Sequence, residues 1–202
     1  MRVGVLGGSF DPPHVGHLRM ARLAMAQLGL DRVLFVPCFS QPLKDTPPLV
    51  SPFHRSAMLA LAVAGKPAWA VDFRELERGG RSYTAITLES LRTQYSKDAF
   101  FLIMGSDSLA SFDQWQRSQD ILAMAQIAVV PRGGKREASS TWGGARVHIL
   151  RAAPLNISST TLRDMLALGR SIEGMVPKAV MSYIVRQELY AAPGGRRERR
   201  SV

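Results

Sequence analysis

The chain has 202 residues, 46% of them apolar and 21% charged, the composition of an ordinary globular protein long enough to bury a layered core. Its single cysteine, Cys38, excludes an intrachain disulfide, suits a reducing compartment and reads as a small buried hydrophobe. The formal net charge is +10, of which residues 193–202 hold +3 through Arg196, Arg197, Arg199 and Arg200 against Glu198; the remaining +7 would attract an anionic small molecule as readily as a nucleic acid.

Met1-Arg2 runs at once into a mostly apolar stretch, Arg2 to Leu6, which predicts a parallel strand buried on both faces, and no secretory signal is expected. Leu18, Ala21, Met25 and Leu28 recur at helical spacing up to Gly29, and Val33 to Val36 is the next strand, closed by Pro37, which makes a βαβ unit. Cys38 to Val50 carries three prolines and no period, so it is a loop at the carboxyl end of that strand. Ser51-Pro52 opens a helix reaching about Gly65, and its apolar run is too short to cross a bilayer. Trp69 to Phe73 is a third strand, and Ser82 is the expected cap of a helix from Tyr83 to Tyr95. Phe100 to Met104 is a strand ending in a turn at Gly105–Ser108, followed by a helix over Ser118–Ala125 and a strand over Ile127–Val130. The stretch from Pro131 to Gly144 is Gly-, Ser- and charge-rich and reads as a mobile surface loop. Val147 to Leu150 is the last expected strand, and two helices follow, one capped at Ser158 and one from Pro177 to about Leu189. Strands alternating with helices at this density predict an α/β fold: a doubly wound, open parallel sheet with helices on both faces. One domain over residues 1–190 is expected, its C-terminal helical part starting near 156, with 191–202 a disordered basic tail.

Gly7-Gly8-Ser9-Phe10-Asp11-Pro12-Pro13-His14-Val15-Gly16-His17 lies between the first strand and the first helix, where a parallel sheet handles phosphate. Gly7 and Gly8 let backbone approach a ligand, and the amides of the helix start favour an anion. His14 and His17 are three apart and share one face if the helix has begun by His14, so together they read as a grip on nucleotide phosphates. As a metal pair they would want a third ligand, and His54, His148 and Cys38 are isolated. Asn156-Ile157-Ser158-Ser159-Thr160-Thr161-Leu162-Arg163 sets hydroxyls and amides at a helix start with a guanidinium one turn in, a second phosphate cradle.

With these two segments, and with Ser82-Tyr83-Thr84, Gly105-Ser106-Asp107 and Asp113-Gln114-Trp115 between them, the chain resembles the bacterial nicotinate mononucleotide adenylyltransferases of the nucleotidyltransferase superfamily over roughly residues 3–190. The resemblance implies a Rossmann-like enzyme of NAD biosynthesis, cytoplasmic, that joins ATP to nicotinate mononucleotide by direct in-line attack, with Mg²⁺ on the ATP phosphates and no metal held confidently by protein side chains. It implies catalytic roles for His14, His17 and Arg163. ATP contacts would come from Gly7, Gly8, Ser9, Phe10 and Gly16, where Gly16 leaves room for the nucleotide. Gly105 and Asp107, and Ile157, Ser158, Ser159 and Thr160, would complete that side, with Asp107 near the mononucleotide as well. Lys44, Tyr83, Thr84 and Arg132 would face the mononucleotide, and Trp115 would stack on its pyridine ring, although an indole on a loop can equally anchor into a core.

Gln41-Pro42-Leu43-Lys44 replaces the family's common Pro-Pro-His-Lys, and Arg132-Gly133-Gly134 its Arg-Pro-Gly turn. Both departures fall on the acceptor side. Preference for nicotinamide mononucleotide or for phosphopantetheine, and a non-enzymatic nucleotide- or RNA-binding protein of the same fold, are the alternatives; no nucleic-acid or membrane partner is expected.

Overall fold

Period-2 alternation along apolar strands decides the layering, because successive side chains leave a sheet on opposite faces. Val3 and Val5, Leu34 and Val36, Phe100, Leu102 and Met104, and Ile127 and Val129 pack on one face; Leu6, Val33 and Phe35, Phe101 and Ile103, and Ala128 and Val130 pack on the other. In the computed structural model, which describes residues 1–43, 47–131, 141–142, 144–153 and 156–190, these strands form one sheet. Lys44, Arg132, most of the Gly- and Ser-rich stretch and the basic tail lie outside the described residues.

The strands are β1 (Arg2–Gly8), β2 (Arg32–Pro37), β3 (Trp69–Val71), β4 (Ala99–Gly105), β5 (Ala125–Val130), β6 (Thr141–Trp142) and β7 (Ala145–Ile149). Their spatial order is β3-β2-β1-β4-β5-β7-β6, parallel throughout except for β6 against β7. The order runs outward in one direction from β1 and in the other from β4, so the two central strands mark the switch point where such sheets bind ligands. The β1–β4 ladder extends from Arg2 opposite Ala99 to Val5 opposite Leu102 and ends there, three residues short of Gly8 and Gly105. That opens the sheet at its carboxyl edge, between the ends of its central strands.

Helix α1 (Val15–Leu28) ends at Gly29, whose φ of 57° is the left-handed conformation that glycine adopts without a Cβ penalty. Helix α2 (Pro52–Val63) is capped as expected, with Ser51 Oγ accepting from the His54 N–H. Helices α3 (Arg74–Arg78), α4 (Thr84–Gln94), α5 (Ser106–Ala110) and α6 (Ser118–Met124) follow, with a 3₁₀ turn at Phe112–Gln114. Helices α7 (Ser159–Ala167) and α8 (Lys178–Arg186) complete the order; Leu162, Ile172, Val176, Val180 and Ile184 close against Met58 and Ala62 of α2 in a separate apolar cluster.

Four expectations change. The stretch read as a loop as far as Gly144 includes β6, antiparallel to β7. Residues 74–78, for which no element was expected, form α3, and the Gly105–Ser108 turn is the start of α5. Both are single-turn helices with no apolar period to announce them. Ser82 does not cap α4: its Oγ accepts from the Phe39 N–H at 2.9 Å, and Tyr83 takes the capping position with no side-chain bond.

Candidate active site

Helix α1 begins one residue later than the shared-face reading of the histidines requires. His14 is its N-cap, with extended backbone, and its Nδ1 accepts from the Gly16 N–H at 3.2 Å, while His17 Nδ1 accepts from the His14 N–H at 3.2 Å. The rings stack at 3.8 Å with 28° between planes. Because each Nδ1 is an acceptor, a neutral ring carries its proton on Nε2, so the pair is preset as two N–H donors of one kind. Phe10, fully buried with a φ of 50°, meets the edge of the His17 ring at 4.9 Å and fixes it from below.

The amides at the start of α1 are already engaged. Val15 N–H donates to Met175 O at 2.9 Å, Gly16 N–H to His14 Nδ1, and His17 N–H to His14 O at 3.0 Å, so the first turn is satisfied within the protein. Gly16 has protein on the side where a side chain would project. A Cβ there would lie 2.8 Å from His14 Cε1 and Nδ1 and 2.8 Å from Ile157 Cγ2, so the missing side chain is what lets the early and late segments touch. Gly7 is exposed near the end of β1, and a Cβ there would meet nothing within 4 Å.

The late segment closes on the early one by three further contacts. Ser159 Oγ donates to Pro12 O at 2.9 Å, Arg163 Nη1 donates to Asp11 O at 2.8 Å, and the same nitrogen lies 3.8 Å from Asp11 Oδ2. Ser158 Oγ caps α7 by accepting from the Thr161 N–H at 3.1 Å, and Thr160 Oγ1 accepts from Arg163 Nη2 at 3.3 Å. The hydroxyls expected to hold phosphate are thus engaged in building the corner. The amides of Ser159 and Thr160 lie in the first turn of α7, and the Arg163 guanidinium is partly exposed, so these are the groups of the late segment whose chemistry suits an anion.

Two residues that hold this corner carried no signal in the sequence reading. Asp11, 1% exposed, accepts from Tyr190 OH at 2.7 Å and from the Leu49 N–H at 2.7 Å, besides its approach to Arg163. Burial and the neighbouring carboxylate push the Tyr190 phenol well above its usual range, which keeps it a donor. Arg55 of α2, also 1% exposed, donates through Nη1 to Ser9 O at 2.9 Å and Cys38 O at 2.7 Å, and through Nη2 to Phe39 O at 3.3 Å. It clips the loops after β1 and β2 together. Proline neighbours around Asp11 and an amphipathic helix around Arg55 conceal such roles, since nothing in local spacing marks a long-range partner.

On the acceptor side, Tyr83 and Thr84 stand at the start of α4, Gly105 is buried at the end of β4, and Asp107 is exposed in the first turn of α5. Trp115 is half-buried, packed on the core with its ring 5.3 Å from that of Phe112, so it serves as a loop anchor that keeps part of its indole accessible. Lys44 and Arg132 lie outside the described residues. Among the described residues no group of three or more His, Cys, Asp and Glu side chains could hold a metal, and no helix is long and apolar enough to cross a membrane.

Residues 5–165 match the cytidylyltransferase-like family. The chain belongs to that family. Among its cytidylyltransferase-like relatives, a probable nicotinate-nucleotide adenylyltransferase of Rhodopirellula baltica is 40% identical over 93% of this chain and 92% of its own. One from Bordetella pertussis, described in the same words, is 40% identical over 94% and 98%. Among solved structures, the Plasmodium falciparum nicotinic acid mononucleotide adenylyltransferase complexed with NaAD superimposes with a TM-score of 0.78, at 18% identity over 94% of this chain and 97% of that one. The same protein complexed with APC gives 0.76. The fold of this cytidylyltransferase-like chain is therefore the Rossmann-like nucleotidyltransferase fold.

Proposed function

We propose that this chain transfers the adenylyl group of ATP to nicotinate mononucleotide, releasing pyrophosphate and forming nicotinate adenine dinucleotide for NAD biosynthesis. The observation that carries the reading is the single corner made by the stacked imidazoles of His14 and His17 and the start of α7, locked by the Gly16–Ile157 approach beside the open end of β1 and β4. Relatives at 40% identity over nearly the whole chain bear the corresponding name.

In this reading an oxygen of the mononucleotide 5′-phosphate forms the new bond to the α-phosphorus of ATP as the bond from that phosphorus to the pyrophosphate oxygen breaks. The nucleophile is already an anion, so no strong general base is required, and positioning with charge stabilisation supplies the rate. Nε2–H of His14 and of His17 donates to phosphate oxygens, Arg163 and the amides of Ser159 and Thr160 hold the triphosphate, and the backbone at Gly7 and Gly8 lets it approach. All these donors are fixed before substrate arrives, the condition under which they favour the transition state over the ground state.

Mg²⁺ belongs to the proposal as the ion that would accompany the triphosphate and neutralise its oxygens. That fits the donor set: the Asp11 oxygens are committed to Tyr190, Leu49 and Arg163, while Asp107 is an exposed carboxylate at the crevice. Thr84 and Trp115 are assigned to the mononucleotide, with Lys44 and Arg132 as further cations toward its phosphate and carboxylate.

The test is pyrophosphate release by the purified protein with Mg²⁺ and ATP, in parallel with nicotinate mononucleotide, nicotinamide mononucleotide, phosphopantetheine and no acceptor. Fast release with the nicotinate compound alone is the expected result. Equal release with another acceptor reassigns the substrate, and ATP binding without release in any arm ends the enzymatic reading.

A further inference from the structure

Phe10 and Tyr190, near opposite ends of the chain, both hold their backbone in the left-handed region, with φ of 50° and 65°. Bulky side chains rarely adopt that conformation, and it persists where surrounding contacts impose it. Asp11, the residue after Phe10, is where the two segments meet: its Oδ1 accepts from Tyr190 OH at 2.7 Å. The turn that delivers the phenol is itself fixed, since Glu188 also has a φ of 50° and the Leu189 N–H donates to Ile184 O at 3.0 Å as α8 ends. The Tyr190 ring packs on the apolar cluster that joins α2, α7 and α8, so ring and hydroxyl have separate surroundings. On the other side of the carboxylate, Oδ2 accepts from the Leu49 N–H at 2.7 Å and lies 3.8 Å from Arg163 Nη1, while Asp11 O accepts from that same nitrogen at 2.8 Å. Asp11 thus presents a backbone and a side-chain oxygen to Arg163, and the phenol holds the oxygen that faces away.

We infer that Tyr190 is a positioning residue for Arg163, acting through Asp11 to set the direction from which the guanidinium meets a phosphate. The inference rests on the assignment of Arg163 to the triphosphate. A carboxylate that is 1% exposed needs donors for its lone pairs, and Asp11 has a hydroxyl on one oxygen and a backbone amide on the other. Rotating the carboxylate breaks both bonds at once, so Oδ2 stays toward Nη1. The other terminal nitrogen of Arg163 is held by Thr160 Oγ1 at 3.3 Å, a longer bond than the 2.8 Å one to Asp11 O, which makes Asp11 the closer of the two anchors. Arg163 needs anchoring because its long side chain is 22% exposed and has rotamer freedom to lose on meeting an anion. A guanidinium has five N–H groups, more than these contacts use. A purely structural tie between the ends of the chain stabilises the protein whatever stands at position 163, whereas a positioning tie has no effect left once the guanidinium is gone.

The experiment is steady-state kinetics with ATP and nicotinate mononucleotide on Tyr190→Phe, Arg163→Ala and the double variant, with the folded fraction of each measured by circular dichroism. Tyr190→Phe keeps the packed ring and removes only the hydroxyl. It is expected to lower kcat/KM for ATP about tenfold, the scale of one lost hydrogen bond to a charged group, with KM for nicotinate mononucleotide within about twofold, as for a subsite that shares no partner with the change. Arg163→Ala is expected to lower kcat/KM for ATP by about a hundredfold, and the double variant to be no worse than Arg163→Ala, because the phenol then has no guanidinium to direct. An unchanged kcat/KM for ATP in Tyr190→Phe, a loss that multiplies with that of Arg163→Ala, an equal rise in both KM values, or a loss matched by unfolded protein would overturn the inference. Arg163→Ala with wild-type kcat/KM for ATP would overturn the assignment of Arg163 itself, and failure of the wild type to use nicotinate mononucleotide would overturn the functional reading beneath it.

Discussion

The two sides of the crevice are built on different plans. On the phosphate side, residues 10–17 and 157–163 form a closed set in which His14, His17, Ser159, Thr160 and Arg163 each have a stated partner, and a glycine with no room for a methyl marks the seam. On the side assigned to the acceptor in the proposed function, Thr84, Asp107 and Trp115 come from the starts of two helices and a loop, and are exposed or half-exposed. In the proposed reaction, rigidity suits the half that would hold donors against charge developing in the transition state. Looser, separately mounted side chains suit the half that must recognise one pyridine nucleotide among several, where specificity can shift without disturbing the chemistry.

That contrast can be attacked at both ends, beginning where the effect is largest. His17→Ala removes a preorganised donor and is expected to lower kcat by about a hundredfold or more, with the far-ultraviolet circular dichroism unchanged; a variant within a few-fold of wild type would show that the imidazoles are structural. Gly16→Ala must push apart the His14 ring and Ile157, and at an overpacking strain of about 1–3 kcal/mol it should lower both the melting temperature and kcat, the latter by about tenfold or more. If its melting temperature falls while kcat holds, the seam matters for folding alone. Trp115→Ala is expected to raise KM for the mononucleotide by about tenfold, from loss of aromatic contact, and to leave KM for ATP unmoved; parallel rises in both would erase the distinction between the two halves. Deleting residues 193–202 should change kcat/KM by less than about twofold, as for a solvated basic tail screened by salt, and a large loss would give that tail a role.

The same contrast explains what could be read from the chain before its fold was known. The strands, α1, α2, α7 and α8 were legible because burial on both faces or along one helical stripe leaves a period in the sequence, and the phosphate corner because its donors are crowded into two short runs. Helix α3 was hidden by the polar run Arg74-Glu75-Leu76-Glu77-Arg78, where a single leucine gives no period. Ser82 was misassigned for a more general reason: a serine before a helical stretch is read as a cap, and only the fold reveals that the Phe39 amide is the nearer donor. Asp11 and Arg55 stayed out of view because each acts on partners 16 to 179 residues away, a distance at which residue type predicts nothing about pairing.

Asp11 and Tyr190 stand 179 residues apart along the chain, and that separation sets an order in time. The glycine-rich loop is made before both of its partners, so the Asp11 carboxylate waits for the Tyr190 phenol, just as Asp11's backbone carbonyl waits for Arg163. The corner can therefore close only once the chain has been synthesised through Tyr190.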